Sequence, residues 1–149
     1  LGRIGLEQQN QRDGFGKDTT MIGYTMLGTN DLTRARVFYD AVMPHMGAKV
    51  VTAYTNEKRV WYATGGGSPL LAVTQPHDGA NATIGNGSMV ALAAESRDMV
   101  NAVYNAAISQ GGADEGAPGV RGDDPNGFYG AYFRDMDGNK FCVYKVGPA

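Results

Sequence analysis

Residues 24–49, YTMLGTNDLTRARVFYDAVMPHMGAK, lie over residues 89–114, MVALAAESRDMVNAVYNAAISQGGAD, at a constant offset and without a gap. Leu27 meets Leu92, Tyr39 meets Tyr104, Ala41 meets Ala106, Gly47 meets Gly112 and Ala48 meets Ala113. Apolar positions follow suit: Val37 with Ala102, Phe38 with Val103, Met43 with Ile108. Each stretch also reads as the same succession of elements, which points to a duplicated unit.

Each copy opens on a strand, residues 22–29 and 88–94, and runs into a helix. Asn30 or Asp31 can cap the first helix and Ser96 the second, because their side-chain oxygens accept from free N–H groups of the first turn. Asp98 then stands where the helix dipole favours an acid. Leu32, Ala35, Phe38, Tyr39 and Val42 recur at helical spacing, as do Met99, Val100, Val103, Ala106 and Ala107. Gly47 and Gly112 are expected to end the helices in the left-handed conformation. Strands are predicted at 49–54, 59–64 and 70–75 in the first copy. In the second they are predicted at 128–134 and 140–146, joined across Asp137-Gly138. Residues 114–126, rich in Gly, Pro and Asp, read mostly as loop with room for a brief strand.

The bulk composition narrows the partners. The 149 residues suit one domain with a sizeable core. The hydrophobic content of 42% and charged content of 19% are those of a globular chain. A net charge of −2 without a basic stripe argues against nucleic acid. No apolar run reaches the roughly 20 residues that span a bilayer, so no membrane partner is expected. The single Cys142 cannot form an internal disulfide, which favours a reducing, cytoplasmic setting. Residues 1–20 are polar and lack the apolar stretch of a signal peptide, so they read as an N-terminal extension or remnant ahead of a single domain at 21–149. Within that domain, module one is taken as about 21–76, the linker as 77–87 and module two as about 88–146.

The opening MIGYTMLGTNDLTRARVFYD and the ending FYGAYFRDMDGNKFCVY together resemble the glyoxalase, bleomycin-resistance and extradiol-dioxygenase superfamily, also called the vicinal-oxygen-chelate fold. Met136 stands where that superfamily usually has Pro. The resemblance spans about residues 21–146. It implies an α+β fold, two βαβββ modules forming a cupped eight-stranded mixed sheet with helices outside, and a homodimer.

In metal-dependent members four inward positions carry His or Glu, which suit Zn, Ni, Mn or Fe. Carried over, those positions are Tyr24, Ala72 (from LAVTQ, residues 71–75), Met89 and Cys142. None is His, Asp or Glu. A phenol and a thiol must lose a proton before ligating, and a thioether is a soft ligand. The only histidines, His45 and His77, fall at a helix end and in the linker. No metal and no other cofactor is therefore expected, nor metal-dependent glyoxalase I or extradiol dioxygenase activity.

The former ligand positions read as semi-apolar pocket lining, with Cys142 a small buried hydrophobe; a nucleophilic thiolate would need a nearby cation, and Lys140 is on its face. Trp61 and Tyr62 point opposite ways along one strand, as do Tyr129 and Tyr132 along another. Arg121, in GAPGVRGDDPNG (residues 116–127), is either a solvated loop residue or the partner of an anionic ligand. Gly65–Gly67 lacks the Lys-Ser/Thr and helix of a phosphate loop.

The ligand-binding candidates are thus Tyr24, Trp61, Met89, Arg121, Tyr129 and Cys142. They suit a protein that binds a small organic molecule in a semi-apolar cup without metal. Two alternatives are a lyase- or dioxygenase-like enzyme with a divergent or metal-free site, and an interaction module whose pocket is filled by side chains. The identity of the ligand and the pairing of modules within or between chains are not legible in the sequence.

Overall fold

A computed structural model describes residues 21–65 and 69–149. The expectation for residues 1–20, and the middle of the turn after residue 65, lie outside the described residues. The element order is β1 (Tyr24–Gly28), α1 (Leu32–Val42), a 3-10 turn (Met43–Met46), β2 (Lys49–Val50), β3 (Arg59–Ala63) and β4 (Leu70–Thr74). It continues with β5 (Val90–Ala93), α2 (Arg97–Ser109), β6 (Ala113–Arg121), β7 (Phe128–Arg134) and β8 (Lys140–Val146). The strands form two four-stranded sheets with equivalent orders, β1-β4-β3-β2 and β5-β8-β7-β6. In each, the first and last strands of the module pair in parallel and the rest antiparallel. The eight strands of the expected fold are present as two sheets of four, not as one continuous hydrogen-bonded sheet.

The helices form where the caps predict. The Asp31 carboxylate accepts from the N–H of Arg34 at 2.9 Å, and the Ser96 hydroxyl from that of Met99 at 3.1 Å. Gly47 is left-handed at φ 71°, closing the 3-10 turn that extends α1. After α2 the left-handed residue is Gly111, at φ 91°, and not Gly112. Gly112 serves a different need. A Cβ there would lie 2.8 Å from the carbonyl oxygens of Ala107 and Arg134 and 3.1 Å from Phe38, so a side chain would force the helix end off β7.

Two strand expectations need correction. β2 covers only Lys49–Val50, because the chain turns at once, with the N–H of Tyr54 donating to the Val51 carbonyl. Residues 114–126 read mostly as loop with room for a brief strand, but Ala113–Arg121 form a nine-residue strand. β6 lies at the edge of its sheet, where Pro118 costs no ladder bond on the inner side. Its glycines serve a register break between Gly116 and Gly119, with Gly116 at φ 153°.

A single hydrophobic core is shared by both modules. Phe38 and Tyr39 of α1 reach module two, where their rings lie 6.4 Å from Phe133 and 6.1 Å from Phe141, respectively. Val100, Val103 and Ala107 of α2 are fully buried in the same core.

The DMDGN turn, residues 135–139, clasps the modules together. Asp135, 5% exposed, accepts from the Tyr39 hydroxyl at 2.5 Å, from the N–H groups of Asp137 and Asn139, and from the Asn139 amide. Asp137 accepts from the Thr29 hydroxyl at 2.6 Å, the Asn30 N–H and Arg34. Asn139 donates to the Gly28 carbonyl at 2.9 Å. The residues that carry the strongest family signal in the sequence thus hold the end of β8 against the β1–α1 junction.

Candidate functional site

Each sheet has one face on the shared core and one face turned away from it. In sheet one, Val60, Tyr62, Leu71 and Val73 belong to the core. The alternate residues Trp61, Ala72 and Met26 stand in one cross-strand row on the opposite face. Tyr24, two residues before Met26, shares that face and lies level with Leu70. The Trp61 ring meets Tyr24 edge-on at 5.3 Å and Tyr54 at 6.3 Å. Tyr24 is 59% exposed, Tyr54 60% and Met26 43%.

In sheet two, Tyr129, Ala131, Phe133, Phe141 and Val143 pack on the core side. The open face carries the row Ala91, Cys142 and Tyr132 across β5, β8 and β7. Next to it Phe128 and Tyr144 stack at 5.1 Å with planes 9° apart. Two cations flank Tyr132, with Arg121 5.6 Å and Lys140 5.9 Å from its ring centre. Arg121 is braced in place, since its Nη2 donates to the Ala117 carbonyl at 2.7 Å. A Cβ on Gly116 or Gly119 would stand 3.3 or 3.1 Å from its guanidinium. The glycines of β6 therefore make room for Arg121. Neither Arg121 nor Lys140 has a carboxylate partner among the described residues.

The structure thus places Tyr24 and Trp61 together on one open face and Arg121 and Cys142 together on the other. Met89 is 47% exposed and lines a cleft of about 230 Å³ with Met26, Ile84 and Lys140, at the seam between β1 and module two. Tyr129 is placed elsewhere: its hydroxyl donates to Asn101 of α2 at 2.7 Å and Arg97 lies 4.8 Å over its ring. The residue of β7 on the open face is Tyr132. Sequence reasoning missed Met26, Tyr54, Phe128 and Tyr144. Strand parity counted from Tyr24 and from Cys142 would have found Met26 and Tyr144. Tyr24, Trp61, Ala72, Tyr132 and Cys142 lie outside the clefts lined by Arg59 and by Met89.

The residues that the family resemblance carries over as ligand positions do not suit a divalent metal. Ala72 offers no donor atom, Met89 offers a thioether, and Cys142 is 2% exposed. Burial pushes the Cys142 thiol up from its ordinary value, against the pull of Tyr132, Arg121 and Lys140 toward the thiolate. Burial, then the neighbouring Cys142, raises the Tyr132 phenol. Among the described residues no three His, Cys, Asp or Glu side chains come together as a ligand set. A raised, covered thiol should react sluggishly. Alkylation of the native protein with iodoacetamide at pH 7.5 is expected to run at least about tenfold slower than that of the unfolded chain. An equal rate would contradict the burial of Cys142.

Two copies of a βαβββ unit, each with a parallel outer pair and one open sheet face, define a two-module α+β protein. The Glyoxalase/Bleomycin resistance protein/Dioxygenase superfamily profile matches residues 21–143, and the chain belongs to that superfamily. The chain is similar to a glyoxalase/bleomycin resistance protein from Albidiferax ferrireducens T118, with 36% identity and a TM-score of 0.75 over 85% of this chain and 98% of that one. It shares its fold with a family enzyme from Burkholderia phytofirmans PsJN, at 17% identity and TM-score 0.63 over 83% and 97% of the two chains. The same holds for the fosfomycin resistance protein FosX from Mesorhizobium loti, at 16% identity and TM-score 0.57 over 83% and 90%. No curated protein matches the chain. No helix among the described residues is long and apolar enough to cross a membrane.

Proposed function

We propose that this protein binds a small organic molecule, without a metal, in a compartment that two copies of the chain close together. The supporting observation is the chemistry of the two open faces. Tyr24, Met26, Tyr54 and Trp61 line one. Tyr132, Cys142, Phe128 and Tyr144 line the other, beside the unpaired cations Arg121 and Lys140. Apolar strips of this kind mark interaction or ligand surfaces, and aromatic walls with a few polar groups suit a planar organic molecule. A homodimer shields both faces and supplies the walls that one chain lacks. The ligand class this favours is an aromatic or apolar acid, its anionic group held by Arg121 through its planar fork. The unpaired Cys142 suits a reducing compartment such as the cytoplasm.

One observation favours a second, enzymatic reading. The Tyr132 hydroxyl, Cys142, Arg121 and Lys140 cluster on one face, so Tyr132 could pass a proton to a substrate whose developing negative charge Arg121 holds. The Tyr129 hydroxyl donates to Asn101, which favours Tyr132 over Tyr129 as the proton donor.

A thermal-shift screen of aromatic acids against their neutral amides tests the binding reading. Ligand at 100 times its dissociation constant adds about 2.7 kcal/mol of stability. Arg121→Gln is expected to weaken the acids by about tenfold and leave the amides unchanged. A broad screen without shifts, or equal loss for acids and amides, would contradict it.

A further inference from the structure

We propose that a second cleft, at the end of the first sheet and lined by none of the aromatic open-face residues, binds the phosphate group of a small molecule. The cleft holds about 560 Å³, and Thr29, Asn30, Lys58, Arg59, Gln75 and His77 are among its lining residues. Three of these side chains, Lys58, Arg59 and His77, are basic, and no Asp or Glu is among the described residues that line it. Asp31 and Glu57 line the adjoining cleft instead. Asp78 accepts from the N–H of Ala80, and Asp137 is taken up by Thr29, Asn30 and Arg34. The Arg59 guanidinium makes no hydrogen bond or ion pair among the described residues, and its Nε is shut off from solvent without a partner. A buried Nε–H without an acceptor is costly, and a bound anion would supply one.

The walls are built rather than loose. The Asn56 side-chain oxygen accepts from the N–H groups of both Lys58 and Arg59, fixing the turn that presents the two cations. The N–H of Gln75 donates to the Lys58 carbonyl at 2.9 Å, tying the end of β4 to that turn. Across the cleft, Asn30 and Ala82 exchange two hydrogen bonds, at 2.7 and 3.1 Å, which pin the linker against the β1–α1 junction. A planar fork, an ammonium and an imidazole together offer more donors than one carboxylate can use. A tetrahedral dianion matches them better. The volume leaves room for the remainder of a metabolite-sized molecule.

The test is calorimetric titration of the full chain with inorganic phosphate at constant ionic strength, with acetate and chloride in parallel. Saturable phosphate binding in the millimolar range or tighter is expected, with no saturation by acetate or chloride. Arg59→Gln is expected to weaken it at least tenfold and Lys58→Gln severalfold. Arg36→Gln, whose arginine pairs with Asp40 on α1, should leave it unchanged. Arg121→Gln should leave it unchanged as well, which keeps this outcome apart from that of the open-face site. Absence of saturable phosphate binding, binding of acetate in preference to phosphate, or full binding by a folded Arg59→Gln variant would each overturn the proposal.

Discussion

Replacing Asp135 with alanine is expected to destabilise the protein by about 3 kcal/mol or more and to lower its melting temperature by roughly 10 °C. The carboxylate is buried and accepts four hydrogen bonds, from the Tyr39 hydroxyl, two backbone N–H groups and the Asn139 amide. Removing it leaves the fully buried Tyr39 hydroxyl and the turn's N–H groups unpaired, and each such group costs about 1–3 kcal/mol. The damage would also spread, because the same turn presents Asp137 to Thr29 and Arg34. Asp137→Ala should cost less. Two of its three partners, the Asn30 N–H and Arg34, lie near solvent and can turn to water, so that only the buried Thr29 hydroxyl is left unpaired. Denaturant midpoints of the two variants check both the size and the order. A loss below about 1 kcal/mol for Asp135→Ala would show that the turn does not clasp the modules.

The second large effect is expected at Trp61. This ring stands at the centre of the open face of the first sheet, between Tyr24 and Tyr54 and level with Ala72. Central aromatic residues carry much of the energy of an interface, commonly 2 kcal/mol or more each. Trp61→Asp removes the anchor and places a charge where a second copy would bury it. For the homodimer proposed above, the dissociation constant is expected to rise by about two orders of magnitude, measured by sedimentation equilibrium. The core side of β3 is formed by Val60 and Tyr62, so the variant should fold. Unchanged association would remove this face from the interface.

Much of the fold was legible because physical requirements repeat in the chain. Caps at Asp31 and Ser96, the helical spacing of Phe38, Tyr39 and Val103, and the Asp137-Gly138 turn each predict an element that is present. β6 was hidden because Gly116, Pro118 and Gly119 are loop residues by local preference. Only the edge position, the bulge and the guanidinium of Arg121 above them explain why a strand carries them. The site was harder to read. Alternation shows that Tyr129 and Tyr132 face opposite ways, but not which of two similar rings meets the core. That choice is made by Asn101 and Arg97, one helix away. Likewise the family resemblance points to Tyr24 and Met89 as partners of Ala72 and Cys142, whereas the residues level with those two are Met26 and Ala91. The family signal at DMDGN describes how the modules are joined and carries no information about the ligand.

Native mass spectrometry of the purified protein addresses the central claim most directly, because it reads assembly and occupant together. The expected result is a species at twice the 15.8 kDa chain mass that takes up an added aromatic acid as an organic adduct and carries no stoichiometric metal. A chain that stays monomeric at micromolar concentration, or a dimer whose only stoichiometric adduct is a metal ion, would contradict it.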